Sequence, residues 1–396
     1  MPDALEGASR RAGLELADIV RAHGDSFRRA LALTYVQTAA LRDIERCRTA
    51  ALGGHIEACD ACGYEHPVYN SCRNRHCPKC QCLAAEKWIA ARQARVLPTR
   101  HFHVVFTVPA ELHALARYRP TLVFDLLFAA SAATLQELAR DERHLGAELG
   151  VTSVLHTWTR DLRFHPHVHC IVTGGGLALD GARWVRSRKD YLFPVKVLGA
   201  LYRGKLLDGL RRAQARGDFA GFDDFEDPEG FDRLMAKLVK KSWIVYAKKT
   251  FRHAEHVFEY LGRYTHRVGI ANSRLVSLVD GQVTFRTKDG KTVTLPANDF
   301  LARFVAHVLP RGFVKIRHYG LLAAGNVNDK LARARALLTA KAAPSATAAA
   351  APALASTWAD QLDELTGRDV RRCPRCGAPL RSRPLPERPE LARAPP

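Results

Sequence analysis

Between residues 14 and 50, apolar residues recur every three or four positions (Leu14, Leu16, Ile19, Val20, Phe27, Leu31, Leu33) with basic residues between them. This period predicts an amphipathic helical arm. The segment HFHVVFTVP from residue 101 has the β-branched and aromatic content of a strand, and a long helical stretch follows from about 110 to 145. Residues 151–185, VTSVLHTWTRDLRFHPHVHCIVTGGGLALDGARWV, read as β-structure, with Gly174, Gly175 and Gly176 expected to break the strand at its end. Residues 232–267 are mostly helical in pattern, although KSWIVYAKK within them has strand character. Residues 274–296 carry Asp-Gly twice between alternating segments, which predicts a repeated hairpin. Beyond about 338 an Ala/Pro-rich stretch reads as a linker to a short basic tail.

A chain of 396 residues, 47% apolar, has room for two or three domains around full cores. Its charge changes the picture more. Sixty Lys and Arg stand against 40 Asp and Glu, a net charge of +20. Such an excess favours a polyanionic partner, and nucleic acid is the commonest. The N-terminus lacks the basic and apolar regions of a secretory signal, so a cytoplasmic protein is expected. The most apolar stretch, TLVFDLLFAASAATL, is interrupted by Asp125 and reads as too short for a bilayer, so no membrane partner is expected. The absence of a Gly-x-x-x-x-Gly-Lys-Ser/Thr loop argues against a nucleotide cofactor and a built-in ATPase.

Ten cysteines without a secretory signal point to metal ligation. Cys59-x2-Cys62 and Cys77-x2-Cys80 supply four thiolates at zinc-ribbon spacing, where chance predicts about 0.25 such pairs in the whole chain. Four thiolates leave no open position, so the Zn²⁺ would be structural. Cys72 and His76, in YNSCRNRHCPKCQ, are alternative ligands. Arg73, Arg75 and Lys79 would then form a basic knuckle for phosphate contacts, or a merely solvated face. Cys373 and Cys376 make half a site, and Cys47, Cys82 and Cys170 read as buried thiols.

In HPHVHCIVTGGG, residues 165–176, three histidines alternate. On a strand, His165, His167 and His169 share one face, and two such imidazoles can grip one metal. Chance predicts about 0.7 His-x-His pairs, so the motif needs partners. Asp161, Glu255, His256 and His266 are candidates for a third ligand, and His101 and His103 read as strand residues of the same sheet. Tyr260 and Tyr264 stand four apart in FEYLGRYTHRVGIANSRL, so on a helix both phenols reach one object. Lys248, Lys249, Arg263 and Arg267 are candidate phosphate contacts. Histidine strand, tyrosine pair, positive charge and missing nucleotide loop together describe metal-assisted cleavage of single-stranded DNA by a tyrosine nucleophile.

YNSCRNRHCPKCQ, HPHVHCIVTGGG, YLGRYTHRVGIANSRL and RRCPRCG stand in the order of four landmarks of a known family. The chain resembles the HUH-endonuclease, two-tyrosine rolling-circle transposases of bacterial insertion sequences. The resemblance implies an α/β (α+β) fold with a central antiparallel sheet, the histidine strand in its middle and the tyrosine helix beside it. It implies His167 and His169 as ligands of a catalytic Mg²⁺ or Mn²⁺, Tyr260 and Tyr264 as nucleophiles, and single-stranded DNA of element ends and target as partner. The chain then divides into a helical arm (1–50), a zinc-binding DNA-recognition module (51–98), a catalytic domain (99–337), a linker (338–358) and a basic tail with a Cys-x-x-Cys (359–396). A plasmid replication initiator or relaxase, or a zinc-ribbon DNA-binding regulator without catalysis, are the competing expectations.

Overall fold

The fold was obtained as a computed structural model that describes residues 13–80, 95–251, 269–287, 290–340 and 369–386, with isolated positions between 357 and 367, apart from the side chains of 223, 224 and 248–251. Tyr260, Tyr264, Arg263, Arg267, Glu255, His256, His266 and Cys82 lie outside the described residues.

The centre is a six-stranded antiparallel sheet. Its spine is the long hairpin of β4 (Ala147–Trp158) and β5 (Phe164–Ala178). β3 (His101–Thr107) adds to the other side of β5, and β7 (Val245–Phe251), the KSWIVYAKK strand, adds to β3. β11 (Ile316–Gly320) closes the far edge on β4, and the short β6 (Trp184–Arg186) pairs with the end of β5. The histidine strand is therefore central, as expected, and its register is fixed from both sides. β5 does not stop at the three glycines. It runs through them because neighbouring backbone passes too close for side chains: a Cβ on Gly176 would lie 2.4 Å from the Glu148 carbonyl oxygen. At Gly175, φ is +145°, which a Cβ would strain.

After β3, α3 (His113–Tyr118) leads into α4 (Pro120–Arg140), which starts on a proline whose missing N–H costs nothing at that position. By length and composition α4 could cross a membrane, but it lies across β4 and β5 with Phe124, Leu127, Phe128, Leu135 and Leu138 in the core. α5 (Val195–Ala215) packs beside it and against β7, followed by α6 (Asp223–Glu226) and α7 (Pro228–Lys240). Each such side chain contributes roughly 1.5–3 kcal/mol on burial.

A second core joins the N-terminal arm to residues 270–308. α1 (Leu16–Ala30) and α2 (Tyr35–Arg46) pack on the sheet of β8 (Leu275–Val279), β9 (Gln282–Arg286) and β10 (Thr292–Pro296) and on α8 (Ala297–Val305). Leu16, Ile19, Val20 and Phe27 meet Phe285, Phe300 and Phe304 there. The N-terminal arm is thus bound to the repeated hairpin, whose first turn uses Asp280 and Gly281 in left-handed conformation. Gln37 caps α2 through Thr34 and also donates to the Val305 carbonyl. α9 (Ala332–Thr339) covers a small third cluster around Trp184 and Leu321.

The zinc-binding region is built on a hairpin of β1 (Gly54–Ala58) and β2 (Glu65–Tyr69). β12 (Arg381–Pro384), from the segment expected to be a tail, pairs antiparallel with β1.

Candidate functional site

The β4–β5 register places His156 opposite His167 and Val154 opposite His169. His156, His167 and His169 therefore share one face of the sheet, and one ligating atom from each lies within 4.8 Å of the others. His156 is 3% exposed and His167 9%, so both are held in a largely water-free wall. Trp158, one pleat from His156, stacks its ring on that imidazole at 4.9 Å and 17°.

The nitrogens that can face a metal follow from the hydrogen bonds of the others. His167 Nδ1 is 2.7 Å from the His165 carbonyl oxygen, which fixes Nδ1 as the donor and leaves Nε2 for a ligand. His169 Nδ1 is 2.7 Å from His103 Nε2, with the two rings stacked, so His169 also presents Nε2. Burial pushes the pKa of His167 down to about 4, which keeps it in the neutral form that metals require. Three neutral imidazoles favour a transition cation over Mg²⁺, which prefers carboxylate, carbonyl and water oxygen.

Among the described residues, the third histidine beside His167 and His169 is His156, which the sequence pattern did not single out. Asp161, one of its candidates, instead accepts from the Thr159 hydroxyl at 2.5 Å and pairs with Arg163 at 2.6 Å. The signal for His156 was its place in VLHTW on the strand preceding the histidine strand, but only the register turns that into proximity. His103, read as a strand residue of the same sheet, abuts the trio directly, whereas His165 stays outside it.

The cysteines assemble differently from the expected single ribbon. Cys77 and Cys80 join Cys47 and Cys72 in one group of four, and Cys59 and Cys62 join Cys373 and Cys376 in another. In the first, Cys47 and Cys72 lie 3.4 and 3.5 Å from Cys80; in the second, Cys59 is 3.4 Å from Cys376 and Cys62 is 3.6 Å from Cys373. Zn–S bonds of about 2.3 Å in a tetrahedron put sulfurs about 3.8 Å apart, close to these spacings. The expected set of Cys59, Cys62, Cys77 and Cys80 fails because the intervening residues form the return strand of the β1–β2 hairpin. Cys59 and Cys62 lie at its turn and Cys72 to Cys80 follow its open end, roughly 16 Å away for five residues of strand.

Cys47, expected to be a simple buried thiol, ends α2 and is a member of the first group. Within it the Cys72 hydrogen bond pulls the Cys77 thiol down to about 5, while burial pushes Cys47 up to about 11. Four thiols sharing protons in this way are stabilised together by a divalent cation. His76 is not a ligand. Its Nδ1 donates to Asn74 at 3.0 Å and its Nε2 accepts from the Leu309 backbone N–H at 3.1 Å, so both nitrogens are engaged.

Of the expected basic knuckle, Arg73 is exposed. Arg75 turns inward and donates to the Phe313 carbonyl at 2.8 Å, and Lys79 pairs with Glu15, so both brace the module against its neighbours. Lys248 and Lys249 lie on β7, with their side chains outside the described residues.

Residues 19–108 match the family described as "Transposase zinc-binding domain", and residues 150–330 match one described as "Putative transposase". The chain is 45% identical over 376 residues to "Putative transposase y4qJ" of Sinorhizobium fredii, covering 92% of this chain and 94% of the relative. It is 30% identical over 312 residues to the "Transposase for insertion sequence element IS801" of Pseudomonas savastanoi pv. phaseolicola, covering 72% and 71%. No solved structure matches the chain. Zinc-binding module, histidine-bearing antiparallel sheet and both relatives agree: the chain belongs to the two-tyrosine transposases of bacterial insertion sequences that carry an N-terminal zinc-binding domain.

Proposed function

We propose that this transposase cleaves and transfers one strand of DNA at the ends of its element by a rolling-circle route, through a 5′-phosphotyrosine intermediate. The observation that carries the reading is the trio of His156, His167 and His169 on the central strands, a ready site for one divalent cation. Tyr260 and Tyr264 are the nucleophiles. The phenolate oxygen of one attacks the scissile phosphorus, the bond to the 3′ oxygen breaks, and that oxygen leaves with a proton as a free 3′-OH. The phosphate remains esterified to the tyrosine, so rejoining needs no nucleotide. A bound Mn²⁺, or Mg²⁺ less favourably, would polarise the phosphate oxygens and stabilise the charge that develops on them. His167 and His169 hold their Nε2 atoms toward that position, and the neighbouring backbone carbonyl and His103 keep the rings from turning. Arg73, Lys248, Lys249, Arg263 and Arg267 are the candidate contacts to the DNA backbone.

The test is incubation of the purified full chain with labelled single-stranded DNA from its own element's ends and Mn²⁺ or Mg²⁺, resolved on a denaturing gel. A metal-dependent covalent protein–DNA band is expected, lost in His167→Ala and His156→Ala and in one or both of Tyr260→Phe and Tyr264→Phe. Tight binding of cognate ends with no covalent band under any metal would refute the nuclease and leave a DNA-binding protein.

A further inference from the structure

The second group of cysteines joins parts of the chain that lie more than 300 residues apart. Cys59 and Cys376 are separated by 317 residues, and Cys62 and Cys373 by 311. Its C-terminal half lies outside both matched regions, 19–108 and 150–330. We propose that Cys59, Cys62, Cys373 and Cys376 bind a second structural Zn²⁺ that clasps the C-terminal segment onto the N-terminal module.

The geometry is that of two copies of one metal-binding turn. In CDACGY and CPRCGA a glycine follows the second cysteine, with φ +69° at Gly63 and +76° at Gly377. Gly63 N–H donates to the Cys59 carbonyl at 3.0 Å, and Gly377 N–H donates to that of Cys373 at 2.9 Å. Cys59 N–H donates to the Tyr64 carbonyl at 2.9 Å, and Cys373 N–H to that of Ala378 at 2.7 Å. The turn at 373 also aims the Arg375 N–H at the Cys373 sulfur, 3.4 Å away, the arrangement that stabilises a thiolate. Two matched turns facing each other supply a closed tetrahedral thiolate set, with no position left for chemistry.

The rest of the seam explains why a metal is needed. β12 pairs with β1 over four residues, Arg381 pairs with Asp60 at 3.0 Å, and Arg383 pairs with Glu65. All four residues of β12 are exposed, so the strand brings almost no apolar burial, and exposed ion pairs add little. A long connection must nevertheless be closed, and the four cysteine bonds to one ion supply the attachment. The ion also carries Arg371, Arg372 and Arg375 to the same end of the molecule as the zinc-binding module.

Zinc per chain, read by elemental analysis of the purified full-length protein, decides the assignment. Cys373→Ser plus Cys376→Ser should lower it by one relative to wild type, as should Cys59→Ser plus Cys62→Ser. The fourfold variant should also lose one, because both pairs serve one ion. A wild-type content in the first variant, or a loss of two in the fourfold variant, overturns the proposal. A second measurement keeps the wild-type cysteines: a protease site is placed within residues 341–356 and the chain is cut there. The C-terminal fragment should co-elute with the body in gel filtration, and separate from it when Cys373 and Cys376 are serine. Separation from a wild-type body that keeps all its zinc, or co-elution without the two cysteines, would overturn the clasp.

Discussion

Replacing His103 by phenylalanine removes the ring nitrogen that holds His169 while keeping a ring of similar volume in a position only 4% exposed. The bond lost is the 2.7 Å contact between His103 Nε2 and His169 Nδ1. Without it the His169 Nδ1 faces an apolar ring and the imidazole loses the 2.7 Å contact that orients it, so its Nε2 is held less firmly in the ligating orientation. Loss of such an outer partner weakens metal binding about 10- to 100-fold, which is about 1.4–2.7 kcal/mol. The three nitrogens of the site remain, so the cost falls on affinity and not on the chemistry at saturation. Cleavage of single-stranded end DNA titrated with Mn²⁺ should show the half-saturating concentration raised 10- to 100-fold, with the saturated rate within a few-fold of wild type. An unchanged half-saturation would refute the reasoning, and so would inactivity at every metal concentration in a variant that keeps wild-type circular dichroism.

Three further outcomes follow from burial and backbone geometry. His307 is wholly buried between Thr157 (Nδ1, 3.2 Å) and the Leu162 carbonyl (Nε2, 3.0 Å), and burial pushes its pKa from 6.5 to about 4. The unfolded chain binds a proton below pH 6.5 that the folded one refuses, so this residue's contribution is complete above pH 6.5 and falls by about 3 kcal/mol as pH drops to about 4. Urea unfolding between pH 7.5 and 4.5 should show His307→Gln less pH-dependent than wild type; parallel curves would contradict this. Tyr202 is buried in the main core and donates to the Thr107 carbonyl at 3.1 Å, so Tyr202→Phe should cost about 1–2 kcal/mol in the same assay. At Gly320, φ is +59° and a Cβ would lie 1.9 Å from the Leu149 carbonyl oxygen, so Gly320→Ala should destabilise by about 2–4 kcal/mol, with a lower urea midpoint.

Features carried by local spacing were legible before any fold was known. The two-residue period of HPHVHC put three imidazoles on one face, and the structure keeps them on a strand with partners on both sides. The Asp280-Gly281 turn gave the hairpin of β8 and β9, and the helical period of residues 14–50 gave α1 and α2. His156 illustrates what was not legible. Nothing in VLHTW marks a ligand until the hairpin register sets that residue opposite His167, and a shift of one residue would turn it to the other face. Arg75 and Lys79 likewise read as surface cations until Phe313 and Glu15, distant in sequence, take up their donors.

The cysteines draw the line between the two kinds of information most sharply. The sequence by itself marked the Cys-x-x-Cys pairs as candidate metal ligands, because two thiols three residues apart on a tight turn are preorganised by local backbone alone. Which pairs come together was decided by the tertiary structure. β1 and β2 carry Cys59 and Cys62 away from Cys77 and Cys80, the end of α2 brings Cys47 to the latter, and β12 brings Cys373 and Cys376 to the former. Four ligands must converge within a few ångströms, and that convergence depends on strand pairing and core packing between segments whose separation along the chain carries no record of their separation in space.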